Sequence, residues 1–148
     1  MSFMTKWSVA RDHAVTADDL GDDGLITDDA VGRWIDRAGA AYLEQCAGLA
    51  ETRSNAGLEL RVRTTPHAGG AQLGRPPDVA VTATTTEVLP AAFIVAVRVR
   101  PIGGNHDTPI DVTCEVRLED PATGEAYPLG NEIRDELIAL EHGARHYN

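Results

Sequence analysis

The sequence has few cysteines, few serines, few aromatics and no long apolar run, and each scarcity removes a class of protein. Nothing approaches the roughly 18 consecutive apolar residues of a membrane-crossing helix. The opening residues, MSFMTKWSVARDH, lack the apolar stretch of a secretory leader, so the expected location is the cytoplasm. The two cysteines, Cys46 and Cys114, lie far apart in apolar-patterned segments, which predicts reduced, buried thiols rather than a disulfide. None of the three serines, Ser2, Ser8 and Ser54, sits in a G-x-S-x-G elbow, and serine-hydrolase chemistry is not expected. The P-loop, the dinucleotide-binding glycines, C-x-x-C and H-E-x-x-H are missing as well. Bases are outnumbered, 13 Lys+Arg against 23 Asp+Glu, and a net charge of −10 opposes general affinity for nucleic acid or an anionic membrane.

What is present is 148 residues, 43% apolar, which fits one domain over residues 1–148. A chain of this length hides about 70% of the surface its unfolded form exposes, so it needs neither a disulfide framework nor a structural metal. The acid is concentrated: seven aspartates against two bases in the first 30 residues give a local balance of −5, half the total. Six of the seven fall within DDLGDDGLITDD.

The pattern along the chain predicts an α+β fold. Trp7 to Thr16 reads as a strand entering a turn. From Asp28, Val31, Trp34, Ile35, Ala38, Ala41, Tyr42, Leu43, Cys46 and Leu49 recur at helical spacing, predicting a dominant helix of about twenty residues. Its small residues Gly32, Gly39, Ala40 and Ala41 suit close packing against a sheet or another backbone. Residues 51–57 read as a loop, Leu58 to Thr65 as a strand, and His67 to Asp78 as a Gly/Pro excursion. Strands are expected over Val79 to Leu89, Phe93 to Arg100 and Ile110 to Glu119, the last alternating apolar and polar so that one face is wet. PIGGNHDTP and PATG read as turns, and a C-terminal helix is expected from Glu132 with Asn131 as its N-cap. One helix covering one face of an antiparallel sheet is the resulting architecture.

For the acidic segment, a calcium loop starting at Asp19 places Asp23 and Gly24 correctly. It fails at Gly21 and at Ala30, which stands where a bidentate Glu is needed. Capping of the following helix explains most of the carboxylates, yet six in twelve residues exceed what capping requires. His142 and His146 stand one helical turn apart without a third ligand, and no metal is expected. His13 and His106 read as surface residues, with His13 beside the acidic turn. Arg61 with Arg63, and Arg98 with Arg100, are pairs on one strand face. Each pair suits a phosphate or pyrophosphate, or cross-strand pairing with Glu115, Arg117 and Glu119.

Asp19-Leu-Gly-Asp-Asp-Gly24-Leu-Ile-Thr-Asp28, followed by Gly32-Arg-Trp-Ile-Asp36, Tyr42-Leu43 and Cys46, resembles the signature of hotdog-fold thioesterases of the 4-hydroxybenzoyl-CoA thioesterase type. That pattern runs D-x-D-x-x-G-h-V-x-x, then x-R-W-L-[DE], then an aromatic on the same helix. The likeness is ungapped over about 25 residues; EVLPA and DPATGEAYPLGNEIRDEL agree more loosely, and Arg53 to Asp78 has no counterpart. The resemblance implies an antiparallel sheet wrapped around one long central helix, a C-terminal helix, and a homodimer or homotetramer with the substrate at the subunit interface. The implied activity is hydrolysis of an acyl-CoA or acyl-carrier-protein thioester, with CoA entering as part of the substrate and no other cofactor. The backbone of Asp28 or Asp29 at the helix start would polarise the carbonyl. Gly21 stands where the family subgroup carries its catalytic Asp, so Asp22 or Asp19 is the candidate base, with Glu44 on the long helix as a further candidate. Arg98 and Arg100 are the candidate CoA contacts. The same glycine supports an alternative, a hotdog protein that binds acyl thioesters without hydrolysing them.

Overall fold

The computed structural model describes residues 9–67, 69–105, 108–140 and 145–146; His106 and His142 lie outside them. In chain order the elements are β1 (Val9–Ala14), α1 (Asp28–Glu44), α2 (Ala47–Ala56), β2 (Glu59–Thr64), β3 (Asp78–Val88), β4 (Phe93–Ile102), β5 (Ile110–Glu119), β6 (Ala126–Tyr127), α3 (Asn131–Leu140) and β7 (Arg145–His146). Short 3-10 turns occupy Ala17–Asp19 and Gly70–Leu73. The main sheet runs in the order β1-β3-β4-β5-β2, antiparallel throughout, with β6 added to β5 and β7 running parallel beside β3. β1 and β2 therefore form the two edges of the main path, and the connection between them is helical. α1 carries the chain across one face of the sheet, which is hereafter the inner face.

That placement follows from the alternation. Val95, Val97 and Val99 of β4 and Val112, Cys114, Val116 and Leu118 of β5 are buried, while Arg98, Arg100, Asp111 and Thr113 between them are exposed. Against the buried set α1 lays Ala30, Val31, Trp34, Ile35, Ala38 and Tyr42. Each large apolar side chain removed from water there stabilises the fold by about 1.5–3 kcal/mol, an upper estimate for any one site. On β3 the ladder to β4 slips between Thr85 and Glu87, and beside that irregularity the buried Thr85 hydroxyl donates to the Tyr42 Oη.

The helix is shorter than its apolar pattern predicts, because Cys46, at φ −98° and ψ 74°, leaves the helical region. Residues 47–56 then form α2, where most of the stretch reads as loop. No side chain at Cys46 caps α2; instead Glu136 of α3 accepts the Gly48 N–H at 2.8 Å, so part of its N-terminal cap comes from 88 residues away. Its end is local: Gly57, at φ +64°, lets Leu58 N–H reach the Arg53 carbonyl at 3.0 Å. Of the small residues of α1, Ala41 packs against the core, whereas a Cβ at Gly32 or Gly39 would meet nothing within 4 Å among the described residues. No described helix is long and apolar enough to cross a membrane.

Candidate functional site

The acidic segment folds into a hairpin-like turn that delivers the chain into α1. Leu20 pairs with Ile26, the Gly21 N–H meets the Leu25 carbonyl at 2.8 Å, and Gly24 at φ +76° donates to the Gly21 carbonyl at 2.9 Å. The six carboxylates then part ways. Asp19 is buried: Oδ2 accepts from the Thr16 N–H at 2.9 Å and the Thr16 hydroxyl at 3.2 Å, and Oδ1 takes Arg33 Nη2 at 2.9 Å. Asp23 Oδ1 accepts the Leu25 N–H at 3.0 Å and fixes the turn. Asp28 Oδ1 accepts the Gly70 N–H at 2.8 Å. Asp18, Asp22 and Asp29 are exposed, and among the described residues no hydrogen-bond donor meets their carboxylates.

A cleft of about 520 Å³ opens at this point, lined by Asp22, Asp28, Asp29, Leu25, Thr27 and Ala71 among others. The start of α1 forms one wall, and its orphan amides can be accounted for one by one. Thr27 N–H donates to the Asp19 carbonyl at 2.9 Å, and Ala30 N–H to the Thr27 hydroxyl at 3.2 Å. The amides of Asp28 and Asp29 find no acceptor among the described residues. Two N–H groups at the positive end of a 17-residue helix dipole thus stay open beside the cleft.

The opposite wall comes from the excursion between β2 and β3, which carries no recognisable motif. Gly69 and Gly70 press against the turn: a Cβ on Gly70 would overlap the Ile26 carbonyl oxygen and lie 2.5 Å from that of Thr27, so only glycine fits. Gly74 accepts the Ile26 N–H at 3.1 Å, and Leu73 is buried in the core. The Gly-Gly dipeptide is the one sequence signal of this close approach.

Asp22 and Asp28 are thus brought together in the lining of the cleft, whereas Asp19 lies outside that lining, bound to Thr16 and Arg33, and Arg98 and Arg100 are elsewhere. They sit on the outer face, with the sheet between them and the turn. Arg98 forms a two-pronged ion pair with Asp111, its partner across the ladder, at 2.7 and 3.1 Å, and this hydrogen bond raises the guanidinium pKa further. Arg61 is held by Glu59 at 2.8 Å and Glu119 at 3.3 Å, with Arg117 completing the group at 2.7 Å from Glu119. His13 is half-buried rather than a surface residue, its ring stacked on Trp34 with centroids 6.4 Å apart. Glu44 is exposed at the far end of α1.

No protein-family model and no curated protein matches the sequence. Solved structures do share its fold. The 12:0-ACP thioesterase from Umbellularia californica superposes with a TM-score of 0.73 at 18% identity, over 94% of this chain and 56% of that one, so this chain spans little more than half its length. A thioesterase from Thermus thermophilus, solved with coenzyme A and Zn, gives 0.65 at 16% identity over 94% and 98% of the two chains. A hypothetical protein from Staphylococcus aureus, in complex with CoA, gives 0.68 at 10% identity over 100% and 92%. The fold is the hotdog fold, an antiparallel sheet wrapped around one long helix.

Proposed function

We propose that the chain hydrolyses acyl thioesters, carried either by coenzyme A or by a carrier protein. The observation that carries this reading is the pair of open amides at Asp28 and Asp29, facing a cleft that also holds the uncommitted carboxylate of Asp22. The thioester oxygen accepts from those two N–H groups, which cost no reorganisation when negative charge develops on it. Asp22 takes a proton from water as the water oxygen bonds to the carbonyl carbon; the tetrahedral oxyanion collapses, the C–S bond breaks, and the proton passes to the leaving thiolate. Asp19 acts as a positioning residue, fastening the turn to α1 through Arg33. Thioesterases among the structures of the same fold support the reading.

A second copy completes the proposed site. The outer edge of β2 has no partner strand among the described residues, and Val62, which shares the inner face with its neighbour Val116, is 49% exposed. Two copies joined along β2 would cover it and continue the sheet. Arg98 and Arg100 are assigned to substrate only as contacts from such a second copy. Cys46 and Cys114 are both buried thiols, which supports a reducing compartment, the cytoplasm.

One observation favours the non-hydrolytic alternative: Gly21 is committed through its backbone to the turn, and a Cβ there would stand 3.2 Å from Asp23 Oδ1. Thiol release from a panel of acyl-CoA and acyl-carrier-protein substrates decides between the two. Hydrolysis that falls at least tenfold in kcat in Asp22→Asn supports the enzyme; CoA binding without thiol release by the unaltered protein supports the alternative.

A further inference from the structure

Arg11, His13 and Arg37 meet in a second cleft, of about 260 Å³, against Ala38 and Val81, with Glu44 also in its lining. Arg11 and His13 lie opposite Val81 and Val79 in the β1–β3 ladder and stand two and four residues from buried Val9, so both share its inner face on an edge strand, where apolar side chains are the rule. One inward charge is a common guard against edge-to-edge pairing. That does not explain why Arg37 arrives beside it from α1. Neither Arg11 nor Arg37 has an ion-pair partner among the described residues, in a chain of net charge −10. Asp29, Arg33 and Arg37 follow one another at four-residue spacing on one face of α1, so a single stripe leads from the acidic cleft to this one.

We propose that this second cleft binds the phosphate of the phosphopantetheine arm, the anion that coenzyme A and carrier proteins share; the proposal rests on the thioesterase reading. Two guanidinia offer forked donors to phosphate oxygens, and His13, held by its stack on Trp34, adds a ring N–H. The lengths agree. At 1.5 Å per residue, Asp28 and Arg37 stand about 13 Å apart along the helix. The arm from thioester sulfur to phosphorus has roughly thirteen bonds, and at the extension of a peptide chain, about 1.2 Å per bond, it spans at most about 16 Å. A carbonyl at the start of α1 therefore brings the phosphate to Arg37. Because the two guanidinia are exposed, binding weakens as salt rises, and Glu44 in the lining tempers that dependence.

Calorimetric titration with pantetheine and with 4′-phosphopantetheine tests the assignment. Phosphopantetheine should bind at least tenfold more tightly, and the Arg11→Ala/Arg37→Ala protein should lose that advantage with its melting temperature kept, because both arginines are exposed. Arg11→Lys/Arg37→Lys should keep part of it. Equal affinities in the unaltered protein, or an advantage that survives the double alanine change, overturns the proposal. If the advantage exists and vanishes as expected while no thioester is hydrolysed, the thioesterase reading fails and the phosphate cleft stands; thiol release without any advantage means the reverse. Where hydrolysis occurs, KM for acyl-CoA and for the acyl carrier protein identifies the source by which of them the double change raises tenfold. A rise in neither contradicts the proposal.

Discussion

Asp19 and Asp22 stand three residues apart in the same acidic run and have opposite surroundings, the first buried in three polar contacts and the second open to the cleft. Composition could not separate them, since what distinguishes them is Arg33, fourteen residues on and one helical turn inside α1. Asp19→Asn keeps the shape but gives up the charge that Arg33 and Thr16 meet. It should lower unfolding free energy by about 1–2 kcal/mol in urea titration, with the half-exposed arginine limiting the loss. Cys114 gives a second prediction. Burial, foremost, pushes its thiol pKa up, with Asp36 adding to the shift and the Thr64 hydroxyl opposing it. A raised pKa leaves the protein at full stability below the ordinary thiol range, near about 8.5. As pH climbs past that range the unfolded chain ionises first, so stability falls towards the raised native value. Melting temperatures followed from about pH 7 to 10 should show this decline, and Cys114→Ala should flatten it.

Elements with their own periodicity could be read from the sequence, and elements held by distant groups could not. The alternation of β5 survives folding, and so does the apolar stripe of α1 as far as Leu43, because each face is decided by residues near in sequence, whereas Cys46 and Leu49 fall outside that helix. α2 was hidden. Its ten residues bury only Leu49, and part of its N-terminal cap is a glutamate on α3. Likewise the residues from His67 to Asp78 read as a flexible excursion, whereas Gly70 and Leu73 clamp the start of α1. Gly70→Ala would drive a methyl group into two carbonyl oxygens and displace that wall. Chemical denaturation should register a loss of about 1–3 kcal/mol, and the cleft should lose the contact between the Gly70 amide and Asp28.

In the whole molecule the proposed site joins a helix end, a turn and a sheet edge that has no partner strand among the described residues. Val62→Lys places charge on the exposed inner face of β2 and should convert an oligomer into a monomer in light scattering after size exclusion, with thiol release lost in parallel. The most direct test is a crystal structure with a non-hydrolysable acyl thioether analogue that retains the carbonyl. Its oxygen is expected within about 2.7–3.1 Å of the amide nitrogens of Asp28 and Asp29, with Asp22 on the side from which water attacks. A carbonyl bound elsewhere, or turned to solvent while those two amides stay unoccupied, would contradict the proposed site.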